Sequence, residues 1–87
     1  MTATSKIFRE CIAEVPEELK LEIDWSDAIA EKISKQLSEQ GLSQKAFAKK
    51  MGKTEAEVSR WLSGTHNFTL RTISKISTVL KVNMINI

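Results

Sequence analysis

The 87-residue chain has one cysteine, one histidine, one proline, three glycines and no tyrosine. A lone cysteine, Cys11, permits neither an intrachain disulfide nor a cysteine-based zinc cluster, and it reads as a small buried hydrophobe. A Cys11–His66 pair could in principle make a nucleophile and base, but no Asp or Asn stands near either in a known catalytic pattern, which weighs against catalysis. The chain is therefore read as a non-enzyme, with no catalytic, cofactor or metal residues assigned. No apolar run approaches the roughly 20 residues needed to cross a bilayer. Residues 1–6 lack the apolar core of a signal peptide, and a cytoplasmic protein is expected. So few glycines and prolines leave no room for a long linker, and a chain of this length suits one small domain, of a size often stabilised by dimerisation.

Charge is abundant but unevenly placed. The net charge of +2 divides into −3 over residues 1–24, where Glu10, Glu14, Glu17, Glu18, Glu22 and Asp24 outnumber Lys6, Arg9 and Lys20, and +5 over residues 25–87. An acidic head on a basic body points to two surfaces with two different partners. The simpler alternative is that both are solvated faces. The division is read as an acidic helical extension, 1–24, and a folded body, 25–87.

Apolar spacing sets out the elements. Ile7, Phe8, Cys11, Ile12 and Val15 share one face of a helix expected from Thr4 to Val15. Pro16 ends it or opens a short helical turn through Lys20. Leu21, Ile23 and Trp25 alternate too briefly to define a strand. With Asp24 or Ser26 as cap, Ile29, Ile33 and Leu37 define a helix from about Trp25 to Gln40, closed by Gly41. Ser43 caps a helix with Phe47, Ala48 and Met51 inside, ended by Gly52. Thr54 caps the next, and Glu57 three residues on completes a capping box. Val58, Trp61 and Leu62 face inward there, and Gly64 ends it. After a polar loop, Thr69 caps a last helix with Leu70, Ile73, Ile76 and Leu80 inside, ended by Lys81 or Asn83. Residues 82–87 are read as a tail that could be extended.

The stretch QKAFAKKMGKTEAEVSRWL, Gln44 to Leu62, gathers a more specific set. Two short helices that cross closely need a small residue at the crossing, Ala48, and a turn residue tolerant of positive φ, Gly52. They also need a β-branched residue aimed back from the second helix, Val58. Phe47, Met51 and Trp61 complete the apolar set, which together with the caps at Ser43 and Thr54 is a helix-turn-helix signature.

At these residues, LSQKAFAKKMGKTEAEVSRWLSG followed by NFTLRTISKISTVL, the sequence resembles the Xre family of phage Cro and repressor helix-turn-helix proteins. The resemblance covers about Asp27 to Val82. Within that family, VSRWLSGTHNFTLRTI is similar to the antitoxin repressors of HigBA-type toxin–antitoxin modules. The resemblance implies an all-α, lambda-repressor-like bundle of four to five helices, here with an extra N-terminal helix. It further implies binding to a double-stranded DNA operator as a homodimer, with a recognition helix starting near Thr54. A cognate toxin protein is the partner implied by the antitoxin likeness. Residues 1–24 lie outside the common domain.

Projected at 100° per residue, the recognition helix turns Ala56, Ser59, Arg60 and Ser63 away from its apolar arc, with Glu55 and Glu57 at the rims. Small polar tips suit entry into a major groove. By family position Glu55, Ala56 and Arg60 match places that touch bases, so the expected base contacts are Glu55, Ala56, Ser59 and Arg60, with Arg60 paired to guanine. The alternative for Arg60 is a surface salt bridge to Glu57 or Glu31. Glu55 and Glu57 depart from the neutral residues common at these places in the family. A glutamate accepts a bond from cytosine but repels phosphate; Glu57 is assigned to capping. Phosphate contacts are expected from Gln44 at a helix N-terminus, Lys53 in the turn, Thr65, His66 and Asn67 in the following loop, and Arg71. Lys45, Lys49 and Lys50 add to a field that is net +5 between Ser43 and Lys75. Homodimerisation is expected to use Leu80, Val82, Met84, Ile85 and Ile87. The competing reading is a protein-binding module, antitoxin or adaptor, whose acidic segment captures a basic partner without regulatory DNA binding.

Overall fold

The computed structural model describes residues 15–64 and 66–85. The N-terminal helix expected from Thr4 to Val15 lies almost wholly outside the described residues, as do Thr65 and Ile87. Among the described residues there are four helices and no strand: α1 (Glu17–Gln40), α2 (Gln44–Met51), α3 (Glu55–Leu62) and α4 (Leu70–Leu80). The architecture is all-α, a helix-turn-helix bundle.

Helix α1 starts eight residues before the expected position. Pro16 holds the extended backbone of a helix cap (φ −56°, ψ 143°), and Glu17 and Glu18 follow in the first turn, where carboxylates complement the helix dipole. Nothing between them and Gly41 interrupts the chain. Asp24 and Ser26 are accordingly interior positions, not caps, and Ser26 is buried. The apolar alternation Leu21, Ile23, Trp25 is part of this helix: its period of two places these side chains on different faces. Gly41 closes α1 in the left-handed conformation (φ 62°), where its N–H donates to Ser38 O and that of Leu42 to Leu37 O at 2.9 Å.

The three short helices begin as their sequences require. The Oγ atoms of Ser43 and Thr69 accept from the N–H groups of Ala46 (3.1 Å) and Thr72 (3.2 Å). The capping box at α3 is complete: Thr54 Oγ1 accepts from Glu57 N–H at 3.1 Å, and the Thr54 N–H donates to Glu57 Oε2 at 3.2 Å. Gly52 takes φ 69° between α2 and α3, which no residue with a Cβ adopts as readily. Lys81 closes α4 in the same left-handed region.

One core joins the four helices. Ile33 and Leu37 of α1, Phe47, Ala48 and Met51 of α2, Val58 and Trp61 of α3 and Ile73, Ile76 and Leu80 of α4 meet in it. Ala48 and Val58 are both buried, as the helix crossing demands, and Phe47 meets Trp61 edge-on at 6.4 Å. The tail is not extended. It turns back so that Met84 enters the core, held by Met84 N–H donating to Ser77 Oγ (3.1 Å) and Lys32 Nζ donating to Asn83 O (2.8 Å). This corrects the expected dimer surface. Leu80 and Met84 are buried in the protomer, and Val82 and Ile85 are half-buried.

Candidate nucleic-acid interface

The caps and the Gly52 turn fix α3 across α2 with Val58 and Trp61 inward. The outward arc follows from that placement: Glu55, Ala56, Ser59 and Arg60 are all exposed. Among the described residues, the Arg60 guanidinium makes no ion pair with Glu57, Glu31 or any other carboxylate. Its backbone carbonyl accepts from Ser63 Oγ at 2.6 Å, which tightens the end of α3. Glu57 is half-buried and engaged in the capping box, so its carboxylate is committed to the helix start.

Beside α3 the structure brings together residues the linear reading kept apart. Lys45, Lys49 and Lys53 line one shallow hollow with Ser43, Ala48 and Glu55. Lys45 and Lys49 lie one helical turn apart, and the left-handed turn at Gly52 carries Lys53 to the same side. Their four-residue spacing was a legible signal. Glu55 thus stands at the edge of a basic hollow, where three ammonium groups offset the repulsion its carboxylate would feel near phosphate. Lys75, on α4, reaches the Gly52 turn: a Cβ placed on Gly52 would lie 3.8 Å from its Nζ. Gln44 is exposed at the first position of α2, and Lys53, Asn67 and Arg71 are exposed as well. Thr65 lies outside the described residues.

His66 has a different environment from its neighbours in the loop. It is half-buried, with its ring 4.8 Å from Phe68 in an edge-on contact and 6.1 Å from Trp61. Phe68 also meets Trp61 at 6.1 Å, so three rings clamp the loop to the end of α3. A second constraint on this loop is Gly64 (φ 87°). A Cβ there would stand 2.6 Å from Asp27 Oδ1 but 3.7 Å from the Asp27 Cα, so a side chain at Gly64 would have to displace the Asp27 carboxylate as well as take a left-handed backbone. Neither the ring cluster nor the Asp27 approach has a periodic signature.

Exposed small and polar groups on one helix, a hollow lined by three lysines beside it and a clamped loop carrying Asn67, followed by Arg71, are the exposed polar and cationic groups of this region. Groups of this kind can enter a groove and meet flanking phosphates. The model of a protein family described as Helix-turn-helix matches residues 33–85, more than half of the chain. No curated protein and no solved structure matches it.

Proposed function

Because the chain belongs to the helix-turn-helix family of DNA-binding regulators, we propose that it is a sequence-specific transcriptional repressor that binds its operator as a homodimer through α3. The observation that carries this reading is the exposed arc Ala56, Ser59 and Arg60, set beside the hollow of Lys45, Lys49 and Lys53. In this assignment Arg60 donates two bonds to guanine O6 and N7. Ala56 and Ser59 give close approach, and Glu55 accepts from a cytosine amino group. Gln44, Lys53, Thr65, His66, Asn67 and Arg71 hold the phosphates and set the register. His66 does so from a ring braced on Trp61 and Phe68. Lys49 and Lys50 in the last turn of α2 complement its dipole and add to the field.

We further infer a role as the antitoxin of a toxin–antitoxin module in the cytoplasm. Residues 25–87 serve DNA, and the acidic residues 1–24 serve a basic toxin. One continuous helix crosses that boundary, so the division is one of function. It rests on the charge asymmetry of −3 against +5. No described helix is long and apolar enough to cross a membrane. The test is a footprint on the promoter of the protein's own gene, with capture of the adjacent gene product by the same preparation. Protection of a two-fold site supports the repressor. Partner capture with no footprint at low salt identifies a protein-binding module instead.

A further inference from the structure

Helix α1 has three faces, and the bundle uses one. Ser26, Ala30, Ile33 and Leu37 are buried against the core. At 100° per residue, Glu17, Asp24 and Glu31 share an acidic face to one side of that stripe. To the other side Glu18, Leu21, Trp25, Ala28 and Lys32 recur at alternating three- and four-residue steps, with Ile29 beside them. That is the spacing of a helix that packs along another helix. This last face borders a groove of about 580 Å³, whose opposite wall is Phe68, Leu70, Ile73 and Ile85. Trp25 and Leu70, at its rim, are 64% and 74% exposed, the two most open large apolar side chains among the described residues. Such a pair on one groove marks a surface that something covers.

We propose that a second copy of this chain covers the groove, with the two α1 helices antiparallel about a two-fold axis at Trp25. This names the contact face of the homodimer proposed above and rests on that reading for the identity of the partner. In this register a residue a given number of places before Trp25 meets the one as many places after it. Leu21 falls opposite Ile29, and Glu18 opposite Lys32, so apolar side chains meet near the axis and opposite charges meet at both ends. A parallel pair would instead set Glu18 on Glu18 and Lys32 on Lys32. Lys32 Nζ donates to Asn83 O at 2.8 Å, and an ammonium with three donors keeps two for a carboxylate. Each Trp25 then lies over the mouth of the partner's groove, beside Leu70. Trp25 and Leu70 together expose about 300 Å² per copy, against about 800 Å² per partner in a stable interface. Leu21, Ala28, Ile29 and Ile85 adjoin them and enlarge the contact. An interface of this size associates at concentrations on the order of micromolar. Glu17, Asp24 and Glu31 stay outside it, open to a basic partner.

The test is made on the full chain without DNA. In sedimentation equilibrium the mass should rise from one chain to two between about 1 μM and about 1 mM. Trp25→Glu and Leu70→Glu alter exposed positions, and each should hold the chain as a monomer over that range while helical circular dichroism is retained. Glu18→Lys should weaken association about fivefold, and adding Lys32→Glu should restore it. In a mixed-isotope sample of the wild-type chain, filtered nuclear Overhauser spectra should connect the Trp25 indole of one copy with the Leu70 methyls of the other. A wild-type chain that stays monomeric throughout overturns the proposal, whether or not it protects an operator. A dimer that persists in both folded glutamate variants places the contact on another face and overturns it as well. If either variant loses its helical signal, the charge exchange and the contacts between copies decide. Failure of the second charge reversal to restore association removes the antiparallel register. A dimer through this face that leaves the promoter unprotected supports the contact and removes the repressor reading, so the two fail separately.

Discussion

Arg60 and Lys53 carry the same charge on the same face of the protein but occupy different places, one on the outward arc of α3 and one in the turn before it. Arg60→Ala should cost about 1–3 kcal/mol on the specific operator and relax preference at one base position. Lys53→Ala should weaken all duplexes alike and lower the salt slope by about 0.9. Competition binding against single-base operator variants separates the two; equal, uniform losses would remove Arg60 from base readout. Glycines offer a second contrast at this scale. Gly41 and Gly64 both have positive φ, but a Cβ on Gly41 meets nothing within 4 Å, whereas one on Gly64 meets Asp27. Gly41→Ala should therefore cost about 1 kcal/mol of left-handed strain. Gly64→Ala should cost about 1–3 kcal/mol more, because Asp27 must also move. Urea denaturation of the two variants measures the difference, and equal midpoints would show that Asp27 yields freely.

At the scale of elements, the short helices are governed by neighbours in sequence and the long one by its surroundings. Ser43, Thr54 and Thr69 each close a bond to a backbone N–H three residues on, so their chemistry is readable from the linear order. The start of α1 was not readable in this way. A polar residue such as Asp24 or Ser26 resembles a cap wherever it stands, and only the uninterrupted backbone from Pro16 shows that neither acts as one. The tail gives a related case. Met84 is 5% exposed, and it closes the core over α4 and α1. Met84→Ala should destabilise the protein by about 2–5 kcal/mol, while Val82→Ala, at a half-buried position, should cost under about 1 kcal/mol. Denaturant midpoints test this. A neutral Met84→Ala, with altered oligomeric state instead, would return the tail to the dimer surface.

For the whole molecule, the basic body predicts a log–log salt dependence with a slope of about −0.9 per phosphate neutralised. One recognition helix reads too few base edges for tight specific binding. Two protomers should therefore occupy half-sites about 34 Å apart, centre to centre. Sedimentation equilibrium of the complex should give two chains per operator, and a duplex carrying one half-site should bind much more weakly. A single chain on a full operator at saturation would exclude the homodimer. With Leu80 and Met84 buried in the protomer, the proposed homodimer would make its contact through side chains other than these two.

The sequence by itself determined what depends on contacts within about four residues. It specified the caps at Ser43, Thr54 and Thr69, the left-handed ends at Gly41 and Gly52, the inward arcs of α2 and α3, the inward Ile73, Ile76 and Leu80 of α4, and the outward position of Ala56, Ser59 and Arg60; Leu70, expected inside with them, is 74% exposed. Helical periodicity and local hydrogen bonds decide these without reference to distant chain. The tertiary structure alone decided what depends on the element opposite. Trp61 and Phe68 receive His66, the Asp27 carboxylate crowds Gly64, and the Gly52 turn carries Lys53 beside Lys45 and Lys49. Leu80 and Met84 are covered, while Trp25 and Leu70 are left open. Each apolar residue carries the same hydrophobic drive. Whether it is buried depends on which surface reaches it, and that is a property of the packed bundle.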